Sequence, residues 1–248
     1  MKLNSGERAR YARHFSLPEI GEKGQKKLRK SRVLIIGAGG LGSPAAYYLA
    51  AAGISTLGLM DADAVELSNL QRQILHFTAD LGRRKTSSAE EKLKALNPDV
   101  RIKTYPRRLT AGNAQAIFRD FDFIIDATDN FSSKLVIANA CHSAKKPYSH
   151  AGILRFFGQT MTVIPGRTAC YRCVFDSPPE DPKIPRGPLG AVPGVIGSIQ
   201  AIEAIKYLLA LGDLLTNRLL TFDALKMQFR EIPLKPNPYC KLCGGTPI

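Results

Sequence analysis

From Val33 to Met60 the chain runs 28 residues without a charged side chain, and Gly37-Ala38-Gly39-Gly40-Leu41-Gly42 stands near its start. A run of that length raises the question of a membrane span. Gly37, Gly39, Gly40, Gly42, Ser43, Pro44 and Gly53 divide it into a strand over 33–36, a helix over 43–52 and a second strand, Thr56–Met60, stopped by Asp61. The span is therefore rejected in favour of a βαβ unit. The glycines fit G-x-G-x-x-G directly after a strand and at the start of a helix, with Asp61 19 residues beyond Gly42. Such a loop lets backbone N–H groups approach phosphates at a positive helix N-terminus, while the acid can accept from ribose hydroxyls. The alternative is a glycine-rich turn with only a packing role. NAD and ATP are equally allowed by this piece alone.

The alternation continues with a helix over 86–96 stopped by Asn97-Pro98, a strand over 100–105, a buried strand over 123–127, a helix over 135–144 and a strand over 148–151. This order predicts an α/β fold with a Rossmann-like, doubly wound, mostly parallel sheet. Residues 1–30 alternate charges with Tyr11, Phe15, Leu17, Ile20 and Leu28, predicting a helix pair on the domain surface. After residue 151 come a strand over 160–164 and a Pro-rich segment over 177–193 without usable period, read as a loop crossing over the site. A largely buried helix over 194–211 and strands over 219–223 and 227–232 complete the chain. The expected organisation is one domain over 1–248: N-terminal helices (1–30), a nucleotide-binding half (31–150) and an antiparallel, zinc-tied half (151–248).

Four of the five cysteines fall into two pairs, Cys170-Tyr-Arg-Cys173 and Cys240-Lys-Leu-Cys243. Two C-x-x-C hairpins can supply four thiolates in a tetrahedron, and a closed Cys₄ site leaves no position for substrate, so a structural Zn²⁺ is expected to clamp the C-terminal tail near Ala169. The alternative is four unrelated reduced thiols. Cys141, the leftover, lies on an apolar helix and reads as a packing residue. His14, His76, His142 and His150 show no spacing for a metal site or a nucleophile–base pair.

At 44% apolar and 23% charged residues, wholesale disorder is excluded. Formal charge is +14, and the first 32 residues hold 10 basic against 3 acidic side chains, half of the excess. An anionic partner is implied, whether nucleotide, acidic protein, nucleic acid or anionic lipid. The charged N-terminus leaves no apolar h-region for secretion, so a cytoplasmic location is expected.

The nucleotide choice is narrowed by Ser68-Asn69-Leu70-Gln71-Arg72-Gln73, then Lys85, then Asp126-Ala127-Thr128-Asp129-Asn130 at the end of a strand. Arg72 and Lys85 can neutralise a triphosphate, and Asp129 can hold Mg²⁺ through one carboxylate. Singly, Arg72 and Lys85 would be surface charges and Asp129 a helix cap. Jointly they favour ATP.

Together with Arg10-Tyr11-Ala12-Arg13, GAGGLGS, DADAVELSNLQRQ, DATDN, CYRC, GVIGSIQAIEAIK, FDALKMQFRE and the final CKLC, these residues resemble the ThiF, MoeB and HesA family of E1-like adenylyltransferases over nearly the whole chain. The resemblance implies that Gly40 contacts ATP, Asp61 the ribose, Asn69, Arg72 and Lys85 the phosphates, and Asp129 the Mg²⁺. Gly37, Gly39, Gly42, Ser68, Leu70, Gln71 and Asn130 complete the implied nucleotide-binding set. Arg13 looks like the arginine that the family supplies across a homodimer interface. The implied reaction is ATP-dependent adenylylation of the C-terminal carboxylate of a ubiquitin-like sulfur-carrier protein ending in Gly-Gly. A separate sulfur donor would then make the thiocarboxylate, for molybdopterin or thiamine biosynthesis. Residues 151–248 would bind the carrier; membrane and nucleic acid are not expected partners. The sequence departs from part of the family at Pro182-Lys183-Ile184-Pro185-Arg186-Gly187, where thiamine-type members and ubiquitin E1 enzymes carry a cysteine, so no covalent step is expected. Two other classes stay open: an NAD-dependent oxidoreductase, and a non-catalytic binder of a ubiquitin-like protein. A tRNA-modifying dehydratase would suit the charge, but the paired cysteines favour the sulfur-carrier branch.

Overall fold

In the computed structural model, which describes residues 3–176 and 187–244, three short helices lead into the first strand: Ser5–Arg10 (α1), Ala12–Phe15 (α2) and Gly21–Leu28 (α3). The first is closed by a capping box, Asn4 accepting from Glu7 N at 2.8 Å while Glu7 accepts from Asn4 N at 2.8 Å. The sequence predicts a helix pair here. Tyr11 makes it three, because it leaves helical geometry (φ −100°, ψ 16°) to bury its ring and accept Asn97 Nδ2 at 2.9 Å.

The βαβ unit follows as Arg32–Ile36 (β1), Gly42–Ala51 (α4) and Thr56–Met60 (β2). Next come Lys85–Leu96 (α5), Arg101–Tyr105 (β3), Ala111–Phe118 (α6), Phe123–Asp126 (β4), Phe131–Ala144 (α7) and Tyr148–Leu154 (β5). Phe157–Val163 (β6), Tyr171–Val174 (α8), Ala191–Leu209 (α9), Arg218–Asp223 (β7) and Gln228–Pro233 (β8) complete the order. One eight-stranded sheet runs β3-β2-β1-β4-β5-β6-β7-β8. It is parallel from β3 to β5 and antiparallel from β5 to β8.

The uncharged strands follow from burial on both faces, since successive strand residues point to opposite sides. Val33, Ile35, Leu57, Leu59, Phe123 and Ile125 pack with α4, α5 and α9. Leu34, Ile36 and Ile124 pack on the other side with α6, α7 and the cysteine segment. Each such side chain contributes about 1.5–3 kcal/mol through burial. By length and composition α9 matches a membrane span, yet Val192, Ile196, Ala201, Ala204 and Leu208 sit in this core.

Several boundaries differ from the sequence reading, β6 among them, which starts at Phe157 rather than 160. The buried helix starts at Ala191, so 191–193 leave the predicted loop; Pro193 is tolerated in the first turn, where its missing N–H has no partner to lose. Residues 177–186 of that loop lie outside the described residues. The helix ends at Leu209 rather than 211 because Ala210 turns left-handed (φ 58°). Helix α7 starts at Phe131, capped by Asn130, whose Oδ1 accepts Ser133 N at 2.9 Å. Helix α6, capped by Thr110, has no counterpart in the prediction, and β5 extends to Leu154 in a hairpin with β6 turned at Arg155 (φ 56°).

Candidate nucleotide site and metal centre

The glycine loop joins β1 to α4 at the carboxyl ends of the parallel strands, where the neighbours of β1 are β2 on one side and β4 on the other. This is the switch point at which open α/β sheets form a ligand crevice. Gly37 has φ 100°, and a Cβ there would lie 2.6 Å from Ala127 O. A Cβ on Gly42 would collide with the Gly37 carbonyl, so these two glycines shape the loop. Gly39 and Gly40 instead present bare backbone: the nearest atoms to an added Cβ are Gln73 Nε2 at 3.6 Å and Pro193 at 3.2 Å. Pro193 reaches Gly40 because α9 packs on α4 at Gly197, whose own Cβ would strike Leu41 O.

Two side chains hold this loop. Asp61 Oδ2 accepts Ala38 N at 2.8 Å and Oδ1 accepts Asp63 N at 2.8 Å, leaving lone pairs toward the crevice. Buried His76 bonds Ala38 O through Nε2 at 2.9 Å and Ser88 Oγ through Nδ1 at 2.9 Å. Burial lowers its pKa, which keeps the ring neutral and Nε2 the donor.

A cavity of about 1050 Å³ opens here. Of the residues singled out in the sequence, Gly37, Gly39, Gly40, Asp61, Arg72, Lys85, Asp129 and Asn130 line it. Lys85, the first residue of α5, is buried with its ammonium 3.2 Å from Asp63 Oδ2. Arg72 Nη1 donates to Ser68 O at 3.1 Å. Asp129 is exposed and accepts Asn130 Nδ2 at 3.3 Å, its only side-chain hydrogen bond among the described residues. Gly42, Ser68, Asn69, Leu70, Gln71 and Arg13 are not among the lining residues. Asn69 is buried and accepts Glu66 N at 3.2 Å, and its carbonyl accepts Arg72 N at 3.1 Å, so it builds the turn that carries Arg72. Arg13 is exposed on α2.

Sequence reasoning missed Arg107, Arg108 and Lys134 and gave Gln73, though part of the Ser68–Gln73 series, no role of its own; all four line the cavity. The two arginines follow the carboxyl end of β3, the strand end at which ligands gather, and that position was the available signal. Gln73 Oε1 is buried without a hydrogen-bond partner among the described residues.

The cysteine pairs meet at the other face of the sheet. All four Sγ atoms lie within 4.8 Å of one another, with Cys170–Cys240 at 3.5 Å, Cys173–Cys243 at 3.4 Å and Cys170–Cys173 at 3.7 Å. Thiolates at about 2.3 Å around a tetrahedral zinc stand about 3.8 Å apart, so the donor set fits that ion. Backbone N–H groups of Asn237 and Leu242 reach Cys173 Sγ and Cys240 Sγ at 3.4 and 3.5 Å, the support such ligands need. Cys141 lies apart, fully buried, and burial pushes its thiol well above its ordinary pKa.

Fold and cavity together define an α/β protein of the Rossmann-like class. The ThiF family model matches residues 11–242. The sulfur carrier protein adenylyltransferase of Thermus thermophilus is 41% identical, the match spanning 100% of this chain and 94% of that protein. The SAMP-activating enzyme E1 of Haloferax volcanii is likewise 41% identical, over 98% of this chain and 92% of that one. The probable adenylyltransferase/sulfurtransferase MoeZ of Mycobacterium tuberculosis is 41% identical over 95% of this chain, which spans 62% of its length. Among solved structures, E. coli MccB with succinimide superposes with a TM-score of 0.84 at 24% identity, covering 98% of this chain and 75% of that one, a likeness of fold. The chain belongs to the ThiF family, and it is an adenylyltransferase.

Proposed function

We propose that this chain adenylylates the C-terminal glycine carboxylate of a ubiquitin-like sulfur-carrier protein with ATP, releasing pyrophosphate. The observation that carries the reading is the convergence of the bare Gly39–Gly40 backbone, Arg72, Lys85 and Asp129 on one open cavity. Its volume of about 1050 Å³ leaves room for a nucleotide and the end of a polypeptide. The named substrates of the Thermus and Haloferax relatives, a sulfur carrier and SAMP, support the choice of acceptor. E. coli MccB, alike in fold, has been crystallised with ATP, which supports the choice of nucleotide.

In this reading Asp61 accepts from the ribose hydroxyls and the phosphates lie against Gly39–Gly40, Arg72 and Lys85. The carrier's terminal carboxylate, with a pKa of about 3.5, is ionised near neutral pH and needs no general base. Its oxygen attacks the α-phosphorus in line, a new O–P bond forms, the bond to the β-phosphate oxygen breaks and pyrophosphate leaves. Catalysis then rests on positioning and on charge stabilisation by Arg72 and Lys85. Mg²⁺ held by Asp129 would supply further neutralisation of the phosphate oxygens. Arg13, exposed on its helix, is proposed to serve the neighbouring protomer of a homodimer. The four cysteines hold a structural Zn²⁺, and the basic N-terminal helices steer an acidic carrier. The acyl-adenylate is passed to a separate cytoplasmic sulfur donor, in molybdopterin or thiamine biosynthesis.

The test is ATP–pyrophosphate exchange with small proteins ending in Gly-Gly, alongside thermal shift with ATP·Mg²⁺ and with NAD. Exchange that depends on one such carrier is expected; stabilisation by NAD alone would return the cavity to a dehydrogenase.

Cys141→Ala should leave both acyl-adenylate formation and, with an external sulfur donor, thiocarboxylate formation intact, because the thiol is buried and un-ionised. Intact mass and non-reducing electrophoresis after incubation with carrier, ATP and sulfide check this. A thiol-labile adduct lost in the variant would show a covalent enzyme instead.

A further inference from the structure

Beneath the cavity floor a buried ionic cluster joins β4, α7 and β5. Lys134, 8% exposed, sends its ammonium to Thr128 O at 2.7 Å and Ala151 O at 2.6 Å. It also bonds the Asp126 carboxylate, at 3.4 Å to Oδ1 and 3.3 Å to Oδ2. Asp126 Oδ1 in turn accepts Thr128 N at 3.1 Å and Thr128 Oγ1 at 2.6 Å, and Oδ2 accepts His150 Nδ1 at 2.9 Å. Gln200 Nε2 closes the cluster from α9, donating to Asp126 O at 3.0 Å. Burial would raise the Asp126 carboxyl, but the Lys134 charge and the His150 hydrogen bond outweigh it and bring it to about 2, so the carboxylate is ionised. Burial and Lys134 lower the pKa of His150, which stays neutral with its proton on Nδ1.

An ammonium has three protons, and two carbonyls plus the shared carboxylate use all of them. Although Lys134 lines the cavity, it has no proton left for a phosphate oxygen. What it touches is the turn that leads from Asp126 through Thr128 to Asp129. We infer that Lys134 is a positioning residue for nucleotide-bound Mg²⁺: by pinning Asp126 and the Thr128 carbonyl to Ala151 in the middle of β5, it fixes the turn from which Asp129 enters the cavity that Arg72 and Lys85 also line. This rests on the ATP·Mg²⁺ reading above. It gives Asp126 and Lys134 a role that the sequence reading left unassigned.

The experiment is calorimetric titration of ATP into the full chain, with Mg²⁺ and with chelator, for wild type, Lys134→Met and Lys134→Arg. Lys134→Met should weaken the Mg²⁺-dependent part of ATP binding about 10-fold or more, as loss of a residue supporting a metal ligand does, and leave binding in chelator within about twofold. Lys134→Arg, which keeps the charge and several donors, should recover most of the loss. If Lys134→Met does not fold, the paired Asp126→Asn/Lys134→Met variant, which removes both buried charges, takes the same comparison. Equal loss with and without metal would make Lys134 a direct phosphate ligand and overturn the inference. A lowered melting temperature with the metal increment intact would overturn it as well, leaving a purely structural lysine. Wild type that binds no ATP would instead sink the parent reading, an outcome visible before any variant is compared.

Discussion

Asp129→Ala and Arg72→Ala should each lose carrier-dependent ATP–pyrophosphate exchange by about 100-fold or more, because each removes stabilisation of the transferring phosphate charge worth roughly 3 kcal/mol. Neither change should unfold the protein. Asp129 is exposed, and among the described residues its one side-chain hydrogen bond is the 3.3 Å contact from Asn130 and that of Arg72 is the 3.1 Å bond to Ser68 O. Melting temperatures near that of the wild type, measured on the same preparations, separate lost chemistry from lost structure. Near-normal exchange in both variants would end the adenylation reading of this cavity. Asp61→Ala is a weaker test, since Asp61 also holds the loop through Ala38 N.

The second large effect is expected at the cysteines. Cys173→Ser or Cys243→Ser should lower zinc content and stability together, because the free energy of binding a structural metal is also folding free energy. Cys170 and Cys240 stand 70 residues apart, and closing a loop of that length corresponds to about 4 kcal/mol of unfolded-chain entropy. For a chain of this size that is a fall in melting temperature of about 10 °C. Ligation requires thiolates, so acid should release the metal and reproduce the phenotype in the wild type. Metal analysis of freshly purified protein that finds no zinc would contradict the assignment.

The parts of the fold legible in the sequence are those punctuated locally. Strands β1 and β2 carry no charge after the exposed Arg32 that opens β1, and they are closed by Gly37 and Asp61; both faces are buried, so their boundaries stand out. Helix α6 is the counter-example: Ala114, Ile117 and Phe118 do stand at helical spacing and pack inward, but the helix is only eight residues long, too short for that spacing to recur, and its start is set by the Thr110 cap. At the site, Gly40, Arg72, Lys85 and Asp129 could be read because motif and spacing name them. Lys134 could not, since its partners Thr128 and Ala151 lie 6 and 17 residues away and are backbone carbonyls, which no residue type advertises. Gln73 and His76 are hidden for the same reason: one is a cavity-lining amide and the other a loop clamp only once the chain has turned back on itself.

The strand order has a kinetic consequence. In order of synthesis β2 joins β1, β3 joins β2, β4 takes the opposite side of β1, and β5, β6, β7 and β8 each add to the strand made just before. Every strand therefore docks on an edge that is free when it leaves the ribosome, and none must be inserted between two already paired. The longest wait falls on the open side of β1, which stays unpaired while α5, β3 and α6 are made. During that interval Val33–Ile36 is a sticky edge for other nascent chains. Translation slowed once Phe123–Asp126 has left the ribosome should cause less aggregation than the same delay imposed before that strand emerges.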